Sequence, residues 1–123
     1  MSDFKKLFAY QKGFDLSMEI FEISKGFPKE EIYSLTDQIR RSSRSVCANF
    51  GESYRKRRYT NHFISKLTDC DAENAETQVW LHFAFECNYI DELTFNNLNE
   101  KSLEVGRLLN NMIISPEVFM IHK

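Results

Sequence analysis

Glycine occurs four times and proline twice along 123 residues, too few strong breakers to punctuate a many-stranded sandwich or barrel. The fold class this predicts is all-α, built from long helices. Hydrophobic residues make up 42 % of the chain and are spread along its length, which argues for folding rather than disorder. At 14.6 kDa residues 1–123 are expected to form one domain around one core.

Between the breakers, four segments carry apolar residues at three- and four-residue steps. The first, residues 8–25, holds Phe14, Met18 and Phe21 with Leu16, Ile20 and Ile23 beside them, and Gly26-Phe27-Pro28 stops it. The second, residues 34–54, opens at Ser34, a candidate cap, and runs through Leu35, Ile39, Ser42, Val46, Phe50 and Tyr54. Arg55-Lys56-Arg57-Arg58 forms a corner before the third, residues 59–88. Asp91 is the candidate cap of the fourth, residues 92–114, which Ser115-Pro116 ends. Residues 115–123 are expected to be a loose tail. Short connections between long helices make neighbours antiparallel, so the expected architecture is an up-down-up-down four-helix bundle.

The third segment is apolar around nearly its whole circumference over Val79-Trp80-Leu81-His82-Phe83-Ala84-Phe85. One small bundle cannot bury every one of those faces, so self-association is expected, with Val79, Trp80 and Phe83 at the interface between copies; the alternative is a wide core around this segment with Trp80 partly exposed at the surface. Asn74 and Thr77 lie on the apolar stripe of the same segment, where they are candidates for a register-setting polar layer or for contacts with a neighbour's backbone.

Several functions are disfavoured. No apolar run is long enough for a signal sequence or a membrane span, which predicts a cytoplasmic protein without membrane contact. Cys47, Cys70 and Cys87 form no Cys-x-x-Cys pair and are expected to be reduced, buried fillers. A di-metal carboxylate bundle needs Glu-x-x-His pairs, but His62, His82 and His122 follow Tyr59, Val79 and Phe119 at that spacing. With no phosphate loop and no nucleophile elbow either, the chain is expected to be neither an enzyme nor a holder of metal or cofactor.

Charge is more informative. The formal net charge of −2 hides strong polarisation. From residue 40 to 58, Arg40, Arg41, Arg44, Arg55, Lys56, Arg57 and Arg58 face Glu52 alone. From residue 69 to 104, Asp69, Asp71, Glu73, Glu76, Glu86, Asp91, Glu92, Glu100 and Glu104 face Lys101 alone. If the second and third segments fold back near Arg57, Arg41 comes level with Glu73. Arg40 and Arg44 then lie within a turn of Asp69, Asp71 and Glu76. Guanidinium forks suit carboxylates, so these residues are expected to form inter-helix or intersubunit ion pairs. The corner has no such row opposite it. Arg55, Lys56, Arg57 and Arg58, flanked by Tyr54 and Tyr59, are therefore the candidates for binding RNA or DNA through phosphate contacts and base stacking. Tyr54 and Tyr59 have a packing role as their alternative.

Nearly the whole chain resembles the four-helix-bundle proteins encoded in intervening sequences of 23S ribosomal RNA genes, also called S23 ribosomal proteins. The resemblance rests on Phe8-Ala9-Tyr10-Gln11-Lys12, the corner Phe27-Pro28-Lys29-Glu30-Glu31-Ile32-Tyr33-Ser34-Leu35-Thr36, Gln38-Ile39-Arg40-Arg41-Ser42, Ala48-Asn49, Ala75-Glu76-Thr77-Gln78 and Cys87-Asn88-Tyr89-Ile90. It implies a ring-like homo-oligomer, commonly a pentamer, without known enzymatic activity. It also implies a likeness in fold to the basic accessory variability determinant of diversity-generating retroelements, which binds nucleic acid and a reverse transcriptase. This chain differs in its mildly acidic balance, and in Cys47 where many relatives carry a proline. Two readings follow: a non-catalytic oligomer binding nucleic acid at its basic corner, or a protein-interaction scaffold such as an accessory subunit of a reverse transcriptase.

Overall fold

A computed structural model describes residues 3–120. Four long helices, α1 (Phe8–Ser24), α2 (Leu35–Arg55), α3 (Thr60–Glu86) and α4 (Glu92–Ile114), pack around a shared interior, and no strand occurs among the described residues. Single turns of 3-10 helix lie at Phe4–Lys6, Lys29–Glu31 and Pro116–Val118.

Local chemistry explains the helix ends. Asp91 caps α4 by accepting a hydrogen bond from the Thr94 N–H at 2.8 Å. Asn88 adopts φ 62°, the left-handed conformation that stops α3 before residue 88. Ser34 does not cap α2. Its hydroxyl donates to Glu31 Oε1 at 2.6 Å, and that same oxygen accepts the Leu35 N–H at 3.3 Å. A carboxylate one turn upstream replaces the expected hydroxyl because the Lys29–Glu31 turn places it beside the orphan donor.

The core is divided along the helix axes. Ala9, Val46, Phe50, Phe63, Leu67, Cys70, Val105, Leu109 and Met112 form one apolar cluster. Leu16, Ile20, Phe27, Leu35, Ile39, Leu81, Ala84, Ile90 and Leu98 form the other. Buried Ser17, Ser42, Ser43, Asn74, Thr77 and Ser102 make a polar layer to which all four helices contribute. Thr77 donates to Ser42 Oγ at 2.9 Å, and Ser17 meets Ser43 at 3.3 Å. Asn74 Nδ2 donates to the Ser102 carbonyl at 2.9 Å while the Ser102 hydroxyl donates back to Asn74 Oδ1 at 2.8 Å. Gly106 lies beside this pair: a Cβ there would stand 3.4 Å from Asn74 Nδ2, in van der Waals contact. Asn74 and Thr77 thus find their partners within their own chain.

Further sequence expectations need correction. On α1, Leu16 and Ile20 face the core while Phe14 and Met18, expected on the same stripe, are exposed. Small Gly13 and Ser17 share the buried side with Leu16 and Ile20 and face α2, Gly13 beside Val46 and Cys47 and Ser17 against Ser43. The stretch 115–120 is docked rather than loose: Phe119 and Met120 pack on the first cluster. Residues 121–123 of the expected tail lie outside the described residues.

The cysteines are free, yet only Cys70 is fully buried; Cys47 is half-buried and Cys87 exposed. Burial pushes the Cys47 thiol up to about 11 and Cys70 up to about 12, which keeps both protonated and unreactive at neutral pH. We expect one thiol per native chain, Cys87, to react quickly with a maleimide, with Cys70 blocked until unfolding. Peptide mass mapping of the labelled protein checks this.

Candidate nucleic-acid interface

The corner joining α2 to α3 holds the basic cluster, and its residues do different jobs. Arg55, Lys56 and Arg58 are exposed, and none has a carboxylate within 4.0 Å among the described residues. Tyr59 is 60 % exposed and its ring lies 5.5 Å from that of the exposed His62. These residues present cationic and aromatic surface to solvent, the combination that binds phosphates and stacked bases.

Arg57 and Tyr54 are committed elsewhere. The Arg57 guanidinium lies 3.5 Å over the Tyr54 ring centroid; its Nε donates to the Tyr54 carbonyl at 2.7 Å and an Nη to the Phe119 carbonyl at 3.2 Å. Tyr54 is 7 % exposed, so a base cannot stack on it. This pair pins the segment after α4 to the corner. We expect Arg57→Gln to cost about 1–2 kcal/mol, as loss of a charged hydrogen-bond donor from a part-buried site does. It should also raise amide hydrogen exchange around Phe119.

Two further cations reach this end of the molecule. Phe4 packs edge-on to Tyr10 at 5.2 Å and Tyr54 at 6.4 Å, and its ring lies over Gly51, where a Cβ would stand 3.4 Å from it, in van der Waals contact. The short turn anchored by Phe4 carries exposed Lys5 and Lys6. No periodic pattern marks a three-residue turn, so the sequence pointed to neither lysine. The signal within reach was the Phe-Lys-Lys triplet itself.

The arginine tier on α2 does not pair as expected within the chain. Arg40 Nε donates to Ser24 Oγ at 2.8 Å, and its guanidinium lies 4.8 Å from the centroid of the Phe21 ring; Arg44 lies 5.6 Å from the same ring. Both turn toward α1, away from the α3 carboxylates. Arg41 is exposed and close enough to Glu73 to favour its ionised form. Burial and the neighbouring Glu76 nevertheless raise the Glu73 carboxyl above the ordinary range. No ion pair within 4.0 Å joins Arg40, Arg41 or Arg44 to Asp69, Asp71, Glu73 or Glu76. The cation that bridges these two helices is Lys66, 3.6 Å from both Glu52 and Asp69 and bonded to Asn49 Oδ1 at 3.0 Å.

On the expected apolar interface, Val79 and Phe83 are about half exposed, whereas Trp80 packs its ring against the second cluster. The Trp80 indole N–H is buried without an acceptor among the described residues, a deficit costing about 1–3 kcal/mol. Among the described residues no three His, Cys, Asp or Glu side chains converge as a metal site, and no helix is long and apolar enough to cross a membrane.

Comparison with known proteins places this architecture. Residues 5–111 match the family described as 23S rRNA-intervening sequence protein. The chain belongs to that family. Its fold is similar to the crystal structure of a protein of unknown function from the S23 ribosomal protein family of Bacteroides thetaiotaomicron. The TM-score is 0.77 and the identity 26 %, over 87 % of this chain and 96 % of that one. No curated protein matches the chain in sequence. The family match spans Lys5, Lys6 and the whole α2–α3 corner.

Proposed function

We propose that this member of the family is a non-catalytic, cytoplasmic homo-oligomer of up-down-up-down antiparallel bundles that binds RNA or DNA through its exposed basic end. The observation that carries the reading is the set Arg55, Lys56 and Arg58, exposed and unneutralised, with Lys5 and Lys6 brought to the same end and Tyr59 beside them. Such cations release condensed counterions from a polyanion, and that release drives binding. The antiparallel arrangement is supported by two cross-helix bonds: Ser42 with Thr77 and Asn49 with Lys66 move up α2 as they move down α3.

Self-association is supported by two separate apolar faces, Phe14 with Met18 on α1 and Val79 with Phe83 on α3. A head-to-tail contact between unlike faces closes into a ring when the rotation allows, and the family resemblance implies a pentamer. In such a ring exposed Arg41 is available to carboxylates of the next copy, among them Asp69, Asp71 and Glu76. Repetition of the basic end around the ring multiplies weak phosphate contacts into useful avidity.

The test is a salt-dependent titration of the assembled protein with structured RNA and with duplex DNA. The expected result is a linear fall of log affinity with log salt, steeper by about 0.9 for every phosphate contacted on a duplex and about 0.7 on a single strand. An intact assembly that binds neither at low salt overturns the reading and leaves the protein-interaction scaffold.

A further inference from the structure

The opposite end of the molecule carries a pocket of about 370 Å³ lined by Glu31, Tyr33, Gln38, Trp80, Phe83 and Cys87, among others. Its chemistry is unlike that of the basic end. Tyr33 is 92 % exposed, and the Trp80 and Phe83 rings lie 5.9 Å apart at 37°, so aromatic surface is presented from two elements. The Glu31 carboxylate lines the same pocket, held in place by three neutral donors: the Ser34 hydroxyl, the Leu35 N–H, and the Tyr89 hydroxyl at 2.8 Å from Oε2. No cation lies within 4.0 Å of Glu31 among the described residues, not even Lys29 on the same turn. Hydrogen bonds from Ser34, Tyr89 and Leu35 hold its carboxyl below the ordinary range, so it is a fixed anion at neutral pH. On the same turn exposed Lys29 and Glu30 carry opposite charges, which leaves the fixed Glu31 carboxylate as the charge that lines the pocket.

We propose that this pocket binds an organic cation, a guanidinium or alkylammonium group, with Glu31 as the counter-ion and the Trp80, Phe83 and Tyr33 rings as its walls. A cation over an aromatic face is attracted by the ring quadrupole, most strongly for tryptophan, and a neighbouring carboxylate adds a charge-assisted hydrogen bond. The pocket is large enough for an arginine head group and shaped by residues of three elements, the Lys29–Glu31 turn, α2 and α3. The cation comes either from a free small molecule or from an arginine or lysine side chain of a neighbouring copy. The site stands on this chain's own residues and does not depend on nucleic-acid binding.

Trp80 is the single tryptophan of the chain, so its fluorescence reports on the site. The full-length protein would be titrated with acetyl-arginine-amide and tetramethylammonium, and with acetyl-citrulline-amide as the neutral isostere. The expected result is a saturable change with both cations and at least tenfold weaker binding of citrulline. Glu31→Gln removes the charge; its one amide oxygen can still accept from Ser34 and Leu35, while its NH2 replaces the oxygen that accepted from Tyr89 and can donate to that hydroxyl instead, and cation binding should weaken about tenfold. Phe83→Leu keeps an apolar side chain on the α3 face while removing the ring, and should weaken cation binding with the helical circular dichroism and the sedimented mass unchanged.

Equal responses to arginine and citrulline, or an unchanged affinity in both variants, overturn the proposal. Sedimentation of the same samples separates the two sources. A mass that falls in Glu31→Gln, or on adding acetyl-arginine-amide, identifies a neighbour's side chain as the occupant, and an unchanged mass identifies a free ligand. A wild-type chain that sediments as a monomer removes self-association but leaves the cation titration to stand or fall by itself.

Discussion

Replacing Arg55, Lys56 and Arg58 together with glutamine should lower affinity for duplex DNA at moderate salt by about one to two orders of magnitude. It should also flatten the log-log salt slope by about 0.9 for each phosphate that is no longer neutralised. The three side chains are exposed and make no ion pair among the described residues, so the variant should keep its fold. Arg57→Gln makes the informative contrast. Its guanidinium is stacked on Tyr54 and bonded to two carbonyls, so its removal should cost stability and leave the slope almost unchanged. Lys5→Gln with Lys6→Gln should add a smaller flattening if the Phe4 turn presents both lysines to the same ligand. Filter binding or fluorescence anisotropy over a range of salt concentrations measures all three.

The largest single effect on stability should come from the polar layer. Asn74→Ala removes both bonds to Ser102, leaves a buried hydroxyl without its acceptor and opens a small cavity, for an expected loss of about 2–4 kcal/mol in urea unfolding. Asn74→Leu paired with Ser102→Ala substitutes both partners by apolar groups, and a double-mutant cycle should return part of that loss as coupling. Because Ser17, Ser42, Ser43, Thr77 and Ser102 complete the layer, the bundle's register is tied to it. A native assembly whose mass is unaltered in the Leu/Ala pair would assign the layer to folding within a chain rather than to matching between copies.

Much of the fold was legible because helical periodicity and burial coincide where a single stripe exists. On α2 the expected positions Leu35, Ile39, Ser42, Val46, Phe50 and Tyr54 are all buried. On α1 two apolar stripes compete, and periodicity alone cannot rank Phe14 and Met18 against Leu16 and Ile20. In the structure the buried side of α1 is the one that also holds the small residues Gly13 and Ser17. For the arginine tier, chain reversal gives height along the axis but not angle around it. Arg41 does come near Glu73, whereas Arg40 and Arg44 turn to the Phe21 ring. At the corner, charge composition located the site but could not separate exposed cations from Arg57, whose partner Phe119 lies 62 residues away. Lys66 was overlooked for the opposite reason: it is a lone lysine outside any cluster, yet it bridges α2 and α3.

The ion pairs that do form, such as Lys101 with Glu19 at 2.7 Å and Lys12 with Glu104 at 3.4 Å, lie near the surface between α1 and α4. Pairs of this kind contribute about 0–1 kcal/mol each, so salt should weaken the fold little while weakening polyanion binding strongly. That separation lets the binding assay be run across a wide salt range on folded protein.

Sedimentation equilibrium of the purified protein across a range of concentrations tests the account most directly, because both exposed apolar faces and the repeated basic end depend on copies associating. The account predicts a mass several times 14.6 kDa that falls toward a single chain when Val79 and Phe83 are replaced by glutamate. A wild-type species of 14.6 kDa at every concentration would contradict it.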